Sequence, residues 1–279
     1  MKGLLRRAST AVIFVVVMLG GLYGGYYSFI LLFAAITALC LWEFLEMTID
    51  HGKKRDWLRR FLGTVFGLMP FLLAALIHLK VIPMNDNFII ITALLFFPFI
   101  FMAFIYELVA QSDTPFKNVA FIVLGMVYIG APFALLDFIA FEGDEFYANT
   151  IFGLLLMTWM NDSGAYVVGS KIGKTKLIPR ISPNKTWEGS IGGVVVTYLT
   201  ALVLSYFFPE KNIQDWFVLA TIVAIFGSVG DLIESMLKRS VGVKDSGDLL
   251  PGHGGLLDRF DAFIFLLPFA AAYLLWVRG

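Results

Sequence analysis

Long apolar stretches alternate with short polar connections along the whole chain of 279 residues. Nine of these stretches approach the roughly 20 residues that a bilayer-crossing helix needs. They run approximately Thr10–Tyr23, Tyr26–Met47, Phe61–Leu79, Phe88–Leu108, Val119–Phe141, Thr150–Val168, Ser190–Phe208, Trp216–Leu237 and Ala262–Val277. The pattern predicts an all-α polytopic integral membrane protein of about nine transmembrane helices. The first two stretches meet at Gly20–Gly25 and read either as two short crossings or as one re-entrant hairpin. Lys2, Arg6 and Arg7 resemble the basic start of a signal peptide. The apolar run continues through the glycines into the second stretch without a small-x-small cleavage site, so it reads as a first span.

Charge placement orients these spans. With the N-terminus in the cytoplasm, all of the 21 lysines and arginines except Lys80, Lys211 and Arg278 fall on the cytoplasmic side. That is the asymmetry the positive-inside rule requires, and one wrong span in the middle of the chain would destroy it. The expectation is a multi-pass protein of the cell membrane, N-terminus inside and C-terminus outside. Residues 1–150 are expected to form a scaffold of helices, and residues 151–279 a region of helices whose cytoplasmic loops carry most of the polar clusters. The basic run Lys53–Arg60 reads as an orientation signal that touches anionic headgroups.

Composition agrees with the pattern. Charged residues make up 15% of the chain and hydrophobic ones 59%, whereas soluble domains carry about 25% charge. Mean hydropathy is +0.82. Formal net charge is zero, so bulk charge points to no nucleic-acid partner. Cys40 is the only cysteine; it permits neither an intramolecular disulfide nor a cysteine metal site, and reads as core packing.

The polar residues that interrupt the apolar pattern are the candidates for chemistry. Asp162 sits inside an otherwise apolar span, where an unpaired charge costs at least a few kcal/mol. Asp231, Glu234, Ser235 and Lys238 recur at i, i+3, i+4 and i+7, which places them on one helix face. That stripe serves either a site or an internal salt bridge between helices. Residues 244–255 bring Lys244, Gly247, Pro251, Gly252, His253, Gly254 and Gly255 together, and glycines let backbone amides turn towards an anion. Asp258 and Asp261 open the last span three residues apart, which predicts that both carboxylates face the same way. Paired oxygen ligands suit Mg²⁺, which takes one or two carboxylates together with substrate phosphates and water. Ser182-Pro183 reads as a helix N-cap followed by proline in the first position. Lys185 would then lie in the first turn, where the helix dipole disfavours a cation unless an anion is shared with it.

Taken together, Ser235-Met236-Leu237-Lys238-Arg239, Lys244-Asp245-Ser246-Gly247, Pro251-Gly252-His253-Gly254-Gly255 and Asp258-Arg259-Phe260-Asp261 resemble the signature of the phosphatidate cytidylyltransferase family. Asp162-Ser163-Gly164-Ala165-Tyr166 and Ser182-Pro183-Asn184-Lys185-Thr186-Trp187-Glu188-Gly189 resemble two further motifs of that family. The resemblance implies transfer of a cytidylyl group from CTP to phosphatidate, giving CDP-diacylglycerol and pyrophosphate, by metal-assisted attack of the lipid phosphate on the CTP α-phosphorus. It implies an all-helical homodimer with Mg²⁺, and K⁺ as a second ion. Asp231, Asp258, Asp261 and Lys185 match catalytic positions. Asp231, Asp258, Asp261 and Asp162 match metal positions. Lys238, Arg239, Lys244, Ser182, Asn184, His253, Gly254, Gly255 and Arg259 match substrate-binding positions. The chemistry is compatible: both reactants are anions, so charge neutralisation and alignment matter more than a protein nucleophile. CTP is water-soluble and phosphatidate is not, so the site belongs at the cytoplasmic interface. Two rivals remain at this point. A CTP-dependent lipid kinase would release CDP. A transporter would place its polar groups near the midplane, often in paired repeats, and no repeat is visible here.

Overall fold

The structure, a computed structural model, describes residues 2–49, 54–82, 88–142, 145–249 and 254–278. His253, Pro251 and Gly252 lie outside the described residues. The chain divides into two compact units. The first contains Met1–Phe138 together with Asp245–Leu257, and the second contains Ile139–Lys244 together with Asp258–Gly279.

In the first unit α1 (Lys2–Tyr23), α2 (Tyr26–Ile49), α3 (Lys54–His78) and α4 (Phe88–Ala110) are followed by one rod, built of α5 (Pro115–Gly125), a π-helical turn (Met126–Gly130) and α6 (Ala131–Ala140). The break between α1 and α2 falls at Gly25, whose φ of 98° is readily reached only without a side chain. Gly63 and Gly67 lie one helical turn apart and admit Leu45 and Leu41 of α2, the small-residue spacing by which membrane helices approach closely. Gly130 meets α3 more tightly still, because a Cβ there would overlap the carbonyl oxygen of Gly67. Gly130→Ala should therefore cost about 1–3 kcal/mol of stability through overpacking. A lower thermal midpoint in detergent is the expected reading, and an unchanged one would refute the close crossing. Arg59 is buried and ion-paired to Asp56 and to Glu107 of α4, while Asn118 of α5 donates to Glu107 at 2.9 Å. Arg60 pairs with Glu46 and stands over the Trp42 ring. Two residues of the basic run thus tie helices together, beyond the orientation role expected of them.

The second unit begins with a short hairpin, β1 (Phe141–Glu142) with β2 (Glu145–Phe146), and continues with α7 (Asn149–Ile172). A second hairpin, β3 (Lys176–Ile178) with β4 (Ser182–Thr186), leads into α8 (Trp187–Phe207). Then α9 (Ile213–Ile222), a π-helical turn (Val223–Gly227) and α10 (Ser228–Ser240) form one rod, and α11 (Leu257–Arg278) closes the chain. Helices α7 and α8 run against each other through glycines: Gly164 faces Val196, Gly192 faces Val168, and Gly193 faces Asn161. Hydroxyls inside the apolar helices are satisfied locally; Thr158, Thr197 and Thr200 donate to the carbonyl four residues back.

The protein is thus a helical membrane protein with several spans. Among the described residues, six helical segments are long and apolar enough to cross a bilayer: Tyr26–Ile49, Asp56–His78, Pro115–Ala140, Trp187–Phe207, Ile213–Ser240 and Leu257–Val277. The other three expected spans coincide with helices α1, α4 and α7, whose described apolar parts are shorter or more polar. The two small hairpins depart from a purely α fold.

The expected helix start at Ser182-Pro183 is not what the chain does. Ser182 pairs with Ile178 in β4, and the helix begins at Trp187 with Thr186 as its N-cap. Proline biases the residue before it towards extended backbone. Thr186 also supplies the oxygen that accepts the Gly189 amide, at 3.1 Å. Lys185 consequently precedes the helix, and the conflict with the helix dipole that suggested a shared anion does not arise. The charge in the first turn is the acid Glu188, which accepts from the Lys174 and Thr175 amides, at 3.1 Å each.

Candidate active site

The site grows from one face of α10. The π turn Val223–Gly227 ends where α10 begins, and such turns inside α-helices often sit at functional positions. From Ser228 onward the helix is regular, so the stripe expected at i, i+3, i+4 and i+7 is formed. Its two ends have different partners.

At the start of the stripe, Asp231 is ion-paired with Lys185 from β4, and Ser235 donates to the same carboxylate at 3.3 Å. Asp231 and Lys185 are both about 30% exposed and line a pocket of about 460 Å³. Asp162, Tyr166, Asn184 and Ser228 line it as well. Asp162 opens onto this space from α7, and the buried Asn161 beside it is held by Thr197, which donates at 3.2 Å. Asp162 lies within the electrostatic reach of Asp231, Lys185 and Arg259, and Asp261 within that of Asp231, Glu234 and Asp162. Four carboxylates, Asp162, Asp231, Glu234 and Asp261, thus contribute to one field, with Lys185 and Arg259 as cations near Asp162.

Towards the end of the stripe, Lys238 pairs with Glu234 and donates to Asp258 at 2.6 Å. Glu234 is fully buried and Lys238 nearly so. This is the internal salt bridge that the stripe allowed as its plainer reading. The pair opening α11 therefore splits: Asp258 is bound to Lys238, whereas Asp261 accepts from the Ala262 amide at 2.6 Å and shares the field of Asp162 and Asp231. Both aspartates lie towards the α10 stripe, but only the first is taken by Lys238.

The remaining candidates are dispersed. Arg239 is exposed and donates to the Val243 carbonyl at 3.2 Å. Lys244 and Arg259 are exposed, and Ser182 is held in its hairpin. Gly254 has a φ of 81°, and Gly255 packs against Glu43 in the first unit. Glu43 was not among the candidates. Its signal was present, since it is a lone carboxylate in the apolar run Cys40-Leu41-Trp42-Glu43-Phe44-Leu45, and such residues are expensive unless partnered. Asp137 was passed over in the same way; it is fully buried, with the Tyr26 hydroxyl donating to it at 3.1 Å.

Among the described residues no three acidic or histidine groups converge as a ready metal cage. The donor set nevertheless fits a hard cation. It consists of carboxylate oxygens in one field, and Mg²⁺ commonly takes only one or two protein carboxylates and completes its shell with water and phosphate.

These features define a class: a multi-pass helical membrane protein with a pocket into which carboxylates and a lysine open. The chain belongs to the cytidylyltransferase family, whose model matches residues 5–277. It is 43% identical over 170 residues to the phosphatidate cytidylyltransferase of Staphylococcus haemolyticus, a match covering 60% of this chain and 64% of that one. The protein of that name from Bacillus subtilis is 43% identical over 166 residues, covering 59% of this chain and 61% of its own. The one from Staphylococcus aureus is 42% identical over 170 residues, with 60% and 64% covered. The matched region thus spans less than two thirds of each relative.

Proposed function

We propose that this chain transfers the cytidylyl group of CTP to phosphatidate. An oxygen of the lipid phosphate attacks the CTP α-phosphorus, a new P–O bond forms, and the bond to the β-phosphate breaks with its electron pair leaving on pyrophosphate. The products are CDP-diacylglycerol and pyrophosphate. The observation that carries this reading is the pocket lined by Asp162, Asn184, Lys185 and Asp231, in a chain whose family and named relatives are cytidylyltransferases. The attacking phosphate is ionised at neutral pH, so the site needs no strong general base. It needs alignment and charge neutralisation.

The residues divide that work. Lys185, now paired with Asp231, would exchange that carboxylate for a phosphate oxygen. Asp162, Asp231 and Asp261, with Asp258 as a fourth, would hold a divalent cation, Mg²⁺ in this reading, with K⁺ as a second ion. Bound there, the cation would screen the phosphates and stabilise the departing pyrophosphate. Arg239, Lys244, Ser182, Asn184, His253, Gly254 and Arg259 are the substrate contacts in this reading, whereas Lys238 is held by Glu234 and Asp258 and Gly255 lies against Glu43. The same reading places nine crossings in the cell membrane, the N-terminus and the site on the cytoplasmic side, and the working form as a homodimer.

Purified protein in detergent should release pyrophosphate only when CTP, phosphatidate and Mg²⁺ are all present. Release of CDP instead would identify a lipid kinase, and movement of a solute without turnover a transporter. Lys185→Ala should raise the KM for CTP or phosphatidate about tenfold, with a smaller change in kcat, because a cation bound to phosphate acts in ground and transition states alike. Unchanged KM and kcat would remove Lys185 from the site.

A further inference from the structure

Glu43 lies in the C-terminal third of α2, is 5% exposed, and stands in an apolar run. A carboxylate there persists only if its oxygens are satisfied. Its Oε1 accepts from the Leu256 amide at 2.9 Å, and its Oε2 accepts from the Leu257 amide at 2.8 Å and from Ser246 Oγ at 3.1 Å. These donors sit on both limbs of residues 245–257, the segment whose glycines resembled a phosphate cradle, and that segment belongs to the same compact unit as α2. Two of its glycines answer to the same carboxylate. A Cβ at Gly247 would stand 2.9 Å from Glu43 Oε1, and one at Gly255 would stand 2.6 Å from Glu43 Oε2 and would overlap Ser246 Oγ. Gly247 and Gly255 are small because Glu43 fills the space beside them, and that side of the segment presents negative charge rather than an anion site.

We infer that Glu43 is a positioning residue: it clamps both limbs of 245–257, so that the chain entering Asp258 keeps one shape. The inference rests on the cytidylyltransfer reading for its effect on turnover, and on geometry alone for the clamp. Leu257, whose amide Glu43 holds, directly precedes Asp258 in the chain.

The test is Glu43→Gln in the full-length protein, read by hydrogen exchange and by kinetics. Glutamine keeps the size but offers one accepting oxygen, and turns a donor group towards other donors. Amides of residues 245–249 and 254–257 should exchange about tenfold faster or more, with exchange in α7 and α8 unchanged. In parallel, kcat should fall about tenfold while the KM for CTP stays within about twofold. Exchange at the wild-type rate, acceleration spread over all helices, or faster local exchange with unaltered kcat would each overturn the positioning role. If wild-type protein releases no pyrophosphate, the proposed activity fails, and the exchange measurement still decides the clamp. Should Glu43→Gln not accumulate, Ser246→Ala removes a single hydroxyl and carries the same test. An acceleration of about threefold confined to 245–257 is then expected, and no acceleration would overturn the clamp.

Discussion

Asp261→Asn is expected to lower kcat/KM for CTP and phosphatidate by about a thousandfold, the scale of losing a preorganised electrostatic group at a reacting centre. The protein should still insert and fold. Asparagine keeps the shape and keeps an oxygen that can accept from the Ala262 amide, so the local hydrogen bond survives. What disappears is one negative charge in a field already shared by Asp162, Asp231 and Glu234. Removing a like charge relieves repulsion, so the thermal midpoint should hold or rise while activity collapses. That opposite movement separates a metal-holding acid from a structural one. Mn²⁺ binding, followed by the loss of the free-ion spectrum, should weaken in parallel. Activity within threefold of wild type would remove Asp261 from the metal assignment.

Lys238→Met is expected to have the largest effect on stability, a loss of about 3–5 kcal/mol, because it strips the cation from two acids shielded from solvent. Glu234 is fully buried, and Asp258 is about 10% exposed at its side chain. The mechanism has a signature in the double variant. Lys238→Met combined with Glu234→Gln should recover a substantial part of the lost stability, since the acid left without its cation is then neutral. Denaturant titration in detergent reads both, and additive losses in the double variant would show that the pair is not coupled. Asp258→Asn breaks the same network from the other side. It should lower kcat/KM as Asp261→Asn does, but with a lower midpoint, because Lys238 loses one of its partners.

Much of the architecture was legible from the apolar pattern alone. Each expected span coincides with a helix, because a stretch of some twenty apolar residues has few other ways to satisfy its backbone in lipid. The two π turns were not legible, since an extra residue in a helix leaves no mark on hydropathy. The start of α8 was misread at Ser182-Pro183. That dipeptide is a valid helix-start signal, but it is also compatible with a strand, and pairing with β3 decided between them.

The candidate site was legible to the extent that its residues lie close together in sequence. The stripe Asp231, Glu234, Ser235 and Lys238 follows from helical periodicity and needs no tertiary information. Which of these acids is neutralised by lysine, and which remains in a field of like charges, does not follow from periodicity. It depends on Lys185 arriving from a hairpin and on Asp258 and Asp261 arriving one turn apart on α11. Glu43 shows the same limit most plainly. The chain marks it only as a costly charge in an apolar run, and it is separated from its partners by more than 200 residues. The sequence by itself determined that this is a membrane-spanning helical protein and which polar residues interrupt its helices, because both follow from the local cost of placing charge and bare backbone in lipid. Only the tertiary structure decided which charges meet, because pairing between distant residues is a property of packing, and the glycines that admit Glu43 acquire their meaning only when it is beside them.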